Sequence, residues 1–170
     1  ITVSNLKLQK LAYYSQGYSV ALTGNRLFNS KIEAWQHGPV IPAMYHEFKC
    51  SGDGNIIINN QDNFLEGLNE LSIKVIDFVL EKLGRIGAWE LRNKSHKEAP
   101  WLSHYDTETQ KVDGLEITTD ELLKFFTQEA SAMQDTTFAK ILDSLESQII
   151  ELPEEVSNKN EFYEWIQQGA

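Results

Sequence analysis

The chain has 170 residues, of which 41% are hydrophobic and 24% are charged, with a formal net charge of −10. These values are typical of one globular domain and exclude a collagen-like, low-complexity or wholly disordered chain. The charge is uneven. Residues 1–105 carry eleven Lys and Arg against ten Asp and Glu, whereas residues 106–170 carry four Lys against fifteen acids. Direct nucleic-acid binding is therefore disfavoured, because phosphate contacts need a basic surface.

The single cysteine, Cys50, excludes an internal disulfide and indicates a reducing, cytoplasmic location. The longest uncharged run, residues 11–25, is too short and too polar to span a bilayer, so we expect neither a membrane anchor nor a signal peptide. The first residue is Ile1 rather than Met, and we expect the natural start to lie upstream or to have been removed.

Helical patterns dominate, and we predict a mostly α domain with a small two- or three-stranded β element. Ser4 predicts the N-cap of a central helix that runs to about Leu22 and stops at Gly24. Alternating residues 31–36 predict a strand, and the β-branched run 56–58 is its candidate partner.

The Gly38-Pro39 dipeptide is expected to end that strand, and Pro42 predicts the first turn of a short helix to about Lys49. Further helices are predicted over residues 68–83, 88–93, from the Thr118/Glu121 capping box onward, 138–152 and 158–168. We divide the chain into a domain of residues 1–127 and an acidic helical C-terminal extension of residues 128–170.

Candidate catalytic residues are few. His46 and Cys50 are four apart on a predicted helix, so they could share a face as two zinc ligands or as a thiolate and its base. Further ligands would have to come from other histidines, and no paired spacing supports that. The alternative interpretation is a packed thiol and a hydrogen-bonded surface histidine. A small hydrolase or metal-dependent enzyme stays open as the second functional hypothesis.

Two stretches, residues 33–49 and 90–101, combine tryptophan, histidine and proline. Large amphipathic rings beside prolines form either a rigid corner of the core or a protein-binding hot spot, and both interpretations stay open. The candidate partner-binding side chains in these stretches are Trp35, His37, Tyr45, His96 and Trp101.

Four segments carry a resemblance to a known family. In chain order they are NLKLQKLAYYSQG from Asn5, IEAWQHGPVIP from Ile32, YHEF from Tyr45 and SHKEAPW from Ser95. With these motifs the chain resembles the SocA-like antitoxin family, also called the Panacea domain, over roughly residues 4–126. Ala12 stands where the family commonly has a larger apolar residue, and a helix that usually precedes Asn5 is missing.

The resemblance implies a compact helical domain, encoded beside toxin genes in bacteria and phages, that neutralises a cognate toxin by direct contact. One member of the family instead presents its toxin to a cytoplasmic protease. Neither role needs catalysis, so we expect no enzymatic activity, no metal and no cofactor. Within the motifs, Tyr14, Trp35 and Trp101 are expected to pack in the core, with His96 hydrogen-bonded to backbone or to Glu98.

The acidic C-terminal segment suggests a contact with a basic toxin, because complementary potentials favour association. Tight binding also needs an apolar anchor. The last predicted helix offers Phe162, Tyr163 and Trp165 for this purpose. The alternatives are a solvated acidic face and a helix that packs back onto the domain.

Overall fold

The structure, a computed structural model, describes residues 2–57, 67–133 and 141. Over these residues the chain forms six α-helices and two two-stranded antiparallel sheets, which confirms the mostly α prediction with a minor β element. The helices are α1 (Asn5–Thr23), α2 (Pro42–Phe48), α3 (Glu70–Leu83), α4 (Ala88–Ser95), α5 (Ala99–Leu102) and α6 (Thr119–Ala132). The strands are β1 (Glu33–Trp35), β2 (Gly38–Val40), β3 (Tyr105–Asp106) and β4 (Lys111–Val112).

Helix α1 is the centre of the fold, and α3, α4, α6 and β2 all pack against it. The predicted ends are confirmed: the Ser4 side chain caps the helix, and Gly24 stops it at φ 69°. The burial of α1 goes well beyond the predicted apolar stripe. From Gln9 to Val20 only Ala12 is partly exposed, so polar residues of this helix are buried as well. A helix that is surrounded on several sides has little solvent-facing surface left.

Helices α1 and α6 approach closely at Gly17. A β-carbon at this position would overlap the ring of Phe126, so the absence of a side chain makes room for the phenyl group. The Phe126 ring also meets Tyr13, Tyr14 and Tyr18 edge to face. Edge-to-face pairs of this kind add to the free energy gained from burial alone. This aromatic cluster joins the first helix to the last described one.

The predicted partner of β1 is wrong. β1 pairs with β2, so the Gly38-Pro39 dipeptide lies within the second strand and does not end the sheet. A two-residue turn at Gln36 and His37 reverses the chain, and Gly38 follows at φ 90°, a conformation that favours glycine. Asn55, just before the β-branched run, instead forms a bridge with Ser4. Ile58 lies outside the described residues.

The other described elements agree with the sequence to within a few residues. α2 starts at Pro42, α3 ends before Gly84, and α4 runs two residues further than predicted. Both hydrogen bonds of the Thr118/Glu121 capping box are present at the start of α6. The short β3–β4 hairpin has no predicted counterpart. The helices predicted over 138–152 and 158–168 lie outside the described residues except for Ile141, which is buried.

The division into residues 1–127 and 128–170 stays a prediction, and its boundary falls inside α6, where Ala130 is buried. Within the described part of the chain, no helix is both long enough and apolar enough to cross a membrane.

Candidate functional site

The β1–β2 hairpin is held from behind by buried polar side chains of α1. The Lys10 amine donates a 2.8 Å hydrogen bond to the Pro39 carbonyl, and the Gln9 amide oxygen accepts one of 2.8 Å from the Ile41 N–H. A β-carbon at Gly38 would lie 2.9 Å from the Lys10 nitrogen, so the strand sits directly on this amine. Buried polar groups of this kind need partners, and here each finds one in the hairpin backbone.

Two aromatic side chains after α4 lie at the other end of the hairpin. The Trp101 indole donates a 2.9 Å hydrogen bond to the Trp35 carbonyl. The rings of His96 and Trp101 stack at 3.8 Å. With the two contacts from α1, side chains from two helices therefore bind the backbone at positions 35, 39 and 41.

Glu98 joins α1 to the segment between α4 and α5. Its buried carboxylate accepts hydrogen bonds from Tyr13 at 3.2 Å, Tyr14 at 2.8 Å and Lys94 at 2.6 Å. Burial, followed by the Glu98 charge, raises the pKa of both tyrosine hydroxyls well above the usual range. The hydroxyls therefore stay protonated and act as donors. His96 was predicted to bond to backbone or to Glu98; the structure shows its ring stacked on Trp101, while Glu98 is bound by the tyrosines and Lys94.

Three basic side chains, Lys10, Arg92 and His96, lie behind the turn of the hairpin. Burial and the nearby Arg92 lower the pKa of Lys10 to about 7, although Glu98 opposes this shift. Burial also lowers the pKa of His96 to about 4, with further contributions from Arg92, Lys10 and His37. Two buried nitrogen atoms of this cluster, Arg92 Nε and His96 Nε2, have no hydrogen-bond partner in the described residues.

The front of the hairpin forms one wall of a groove of about 570 Å³. Trp35 and Tyr45 meet edge to face at 5.2 Å, and His37 meets Trp89 in the same way at 5.7 Å. The Trp35 indole N–H is already bonded to Glu33 at 2.9 Å. The remaining lining comes from the start of α1, the turn after α2 and the start of α4, and includes Ser4, Asn5, Leu6, Lys49, Asp53 and Ala88.

The structure brings three of the predicted site residues, Trp35, His37 and Tyr45, into this groove. His96 and Trp101 lie in the layer behind it, where Trp101 holds the hairpin. Trp101 and Tyr14 are buried as expected for core residues, whereas Trp35 is only half-buried. The other three predicted side chains, Phe162, Tyr163 and Trp165, lie outside the described residues.

Sequence reasoning missed Trp89, whose side chain is 62% exposed beside His37. Its α4 neighbours Glu90, Arg92 and Asn93 are all polar. A large indole in such a short polar helix was the available signal, because Trp is usually largely buried. An exposed tryptophan next to other aromatic rings is typical of a protein-binding hot spot.

The enzymatic candidates lie elsewhere. His46 is on α2, and Cys50 is on the 3-10 turn Lys49–Ser51 that follows it, so the two do not share one α-helix as predicted. Both side chains are exposed. Among residues 2–57, 67–133 and 141, no three His, Cys, Asp or Glu side chains are grouped so that they could hold a metal ion.

The sequence model of one family, described as antitoxin SocA-like, Panacea domain, matches residues 8–102. This match covers more than half of the chain, and the chain therefore belongs to that family. The matched range contains the hairpin, the side chains that hold it, and Trp89.

A curated relative is Antitoxin SocA of Caulobacter vibrioides (strain NA1000 / CB15N), which is 36% identical to this chain. The similar region covers 59% of this chain and 59% of the relative, so the chain spans well under two thirds of the relative's length. No solved structure matches the chain.

Proposed function

We propose that this chain is an antitoxin that neutralises a cognate protein toxin by direct binding, without catalysis. Membership of the SocA-like family and the 36% identity to Antitoxin SocA support this class of function. The proposed contact surface is the groove lined by Trp35, His37, Tyr45 and Trp89, which we call the aromatic groove.

The observation that carries this assignment is the exposure of Trp89 next to a rigidly held hairpin. Trp and Tyr dominate the free energy of many protein interfaces, because they bury a large area at a low cost in conformational entropy. Backbone that is already fixed in the free protein loses little further entropy on binding. Three side-chain hydrogen bonds hold the hairpin that presents Trp35 and His37.

The acidic segment after residue 106 is the proposed second contact. A basic surface on the toxin would be attracted to it, and Phe162, Tyr163 and Trp165 would anchor the contact. Delivery of the bound toxin to a cytoplasmic protease is the proposed adaptor form of the same role. Both forms depend on binding and both place the protein in the cytoplasm.

The test is a growth assay in bacteria that express the product of the neighbouring open reading frame with or without this chain. We expect the product alone to arrest growth and the chain to restore growth. In a binding assay with the purified proteins, Trp89→Ala should weaken binding at least about ten-fold, the usual loss at a hot spot. Toxin that disappears from the cells, rather than persisting in a complex, would identify the adaptor form.

Leu102→Ala is the control, because the Leu102 side chain is also exposed, does not line the aromatic groove and precedes the acidic segment. It should leave binding unchanged. Cys50→Ala should also preserve neutralisation, whereas its failure in a folded protein would support the enzymatic hypothesis. If the chain does not restore growth although both proteins are expressed, the antitoxin role is contradicted. If Trp89→Ala binds the toxin as tightly as the unchanged protein, the aromatic groove is not the contact surface.

A further inference from the structure

The His104 imidazole lies between two carboxylates from different parts of the chain. Its Nδ1 atom is 3.0 Å from both side-chain oxygens of Asp113, which follows β4. Its Nε2 atom is 3.3 Å from Glu121 Oε1, in the first turn of α6. The His104 side chain is only 11% exposed, and its Nε2 atom is buried without a hydrogen bond in the described residues. The ring therefore meets a carboxylate at each of its nitrogen atoms.

Other donors hold both carboxylates in place. Asp113 Oδ1 accepts a 2.8 Å hydrogen bond from the Leu115 N–H, and Glu121 Oε2 accepts two from Thr118 in the capping box. Burial opposes the ionisation of both carboxyl groups, but these hydrogen bonds and the neighbouring His104 keep the pKa of each below its usual range. Both groups therefore stay negative over the pH range in which histidines gain and lose a proton.

The protonation state of His104 follows from this geometry. A carboxylate can only accept hydrogen bonds, and a neutral imidazole has a single N–H. If that proton were on Nδ1, facing Asp113, the Nε2 lone pair would face the negative Glu121 oxygen. The arrangement is favourable when both nitrogens carry a proton. Among the residues that the structure describes, no Lys or Arg forms an ion pair with either carboxylate, so the positive charge between them is that of His104.

The two carboxylates lie at the ends of residues 114–120, a segment that covers one edge of β1. The Ala34 N–H donates a 2.9 Å hydrogen bond to the Leu115 carbonyl, and the Ile117 N–H donates one of 2.8 Å to the Ile32 carbonyl. β1 is paired with β2 on its other side, so this segment occupies what would otherwise be a free strand edge. One imidazole ring therefore holds both ends of the covering segment.

We propose that His104 is a proton-dependent clamp. With a proton on each ring nitrogen it ties Asp113 to Glu121 and keeps residues 114–120 against β1. When one proton is lost, the segment loosens and the edge of β1 opens. Histidine ordinarily changes its charge between about pH 5 and about pH 8, which suits it to this task. The clamp goes beyond the proposed function, because it concerns how the hairpin is covered and not what the aromatic groove binds.

Hydrogen exchange at the Ala34 and Ile117 amides tests the clamp, because both amides donate to the pairing that it holds. After correction for the intrinsic pH dependence of exchange, we expect their protection factors to fall at least about ten-fold between about pH 5.5 and about pH 8.5, the effect of losing one hydrogen bond to a charged group. The nitrogen NMR signals of the His104 ring should show the loss of its second proton over the same interval. Lys10, with a pKa of about 7, also titrates in this range, so variants must identify the cause.

His104→Gln should remove most of this pH dependence, whereas His46→Gln, which changes an exposed histidine on α2, should preserve it. Glu121→Gln is a milder variant, because glutamine also serves at this position of a capping box. It removes the negative charge beside Nε2 and should weaken the pH dependence. Helicity and melting temperature would show that all three variants are folded.

The same pH dependence in the unchanged protein, His104→Gln and Glu121→Gln would overturn the inference. So would protection factors at Ala34 and Ile117 that do not change with pH, or a fall in protection at a pH where the His104 ring keeps both protons. The assay needs no toxin, so its failure would leave the antitoxin role untouched.

Discussion

The two faces of the β1–β2 hairpin differ in what their polar groups do. On the inner face, polar side chains are hydrogen-bonded to backbone at residues 35–41; they belong to Gln9, Lys10 and Trp101. On the outer face, Trp89 is exposed, and the rings beside it line an open groove. The inner face therefore fixes the shape and the outer face is free to bind. Changes behind the hairpin should reduce stability, and changes in front of it should reduce affinity while stability stays within about 0.5 kcal/mol.

The strongest test of this comparison is Glu98→Ala. It leaves the buried Tyr13 and Tyr14 hydroxyls without an acceptor, and each unsatisfied hydroxyl costs about 1–3 kcal/mol. We expect a loss of about 3 kcal/mol in the free energy of unfolding, measured by urea titration. Glu90→Ala, an exposed glutamate on α4, is the control and should change stability little. Equal effects of the two substitutions would mean that the hydrogen bonds of Glu98 with Tyr13 and Tyr14, behind the hairpin, do not stabilise the fold.

A smaller loss is expected for Gly38→Ala. The residue has φ 90°, and its new β-carbon would lie 2.8 Å from Ser95 Oγ and 2.9 Å from Lys10 Nζ. Strain and overlap together should cost about 2–3 kcal/mol.

Gly24→Ala separates the two causes, because Gly24 has φ 69° but nothing within 4 Å of a β-carbon. It should lose only about 1 kcal/mol, the cost of the left-handed conformation. If Gly38→Ala lost no more than Gly24→Ala in the same urea titration, the contact with Lys10 and Ser95 would not restrict the hairpin.

The remaining test concerns pH. The pKa of His96 is lowered from 6.5 to about 4 in the folded protein, so between these values the unfolded state binds more protons. The stabilising contribution is therefore complete above pH 6.5 and is lost as the pH falls towards 4. His96→Phe keeps a flat ring on Trp101 and removes this titration.

The variant should show a shallower fall in the free energy of unfolding between pH 6.5 and 4 than the unchanged protein. Because both proteins carry the same carboxylates and the same other histidines, their difference reports on His96. Parallel curves would mean that burial and the nearby Arg92 and Lys10 do not lower the pKa of His96.

Local signals in the sequence were sufficient to predict where the helices begin and end. Ser4, Gly24 and the Thr118/Glu121 pair act through hydrogen bonds or backbone angles within a few residues, and all three are confirmed. The family resemblance is also confirmed. The pairing of β1 was predicted wrongly because Gly38-Pro39 looks like a strand end, whereas a two-residue turn and a tolerant glycine place it in the second strand.

The candidate site was less accessible to prediction. The motif residues Trp35, His37 and Tyr45 are in the groove, but nothing in their spacing shows that His96 and Trp101 lie behind it. Burial of Lys10 was also missed, because a lysine near the start of a helix normally faces water. Its position follows from contacts with residues about thirty positions away, which periodicity along one helix does not contain.

The polar and small residues of α1 have a consequence for biosynthesis. The Tyr13 hydroxyl donates its hydrogen bond to Glu98, 85 positions later in the chain. The ring that packs on Gly17 belongs to Phe126, which is later still. The packing of α1 is therefore completed late, since contacts distant in sequence form only after the intervening chain has been made. A nascent chain that stops before α6 would lack the Phe126 ring that covers Gly17 and contacts the α1 tyrosines, and this surface would be open to chaperones and proteases until translation has passed Phe126.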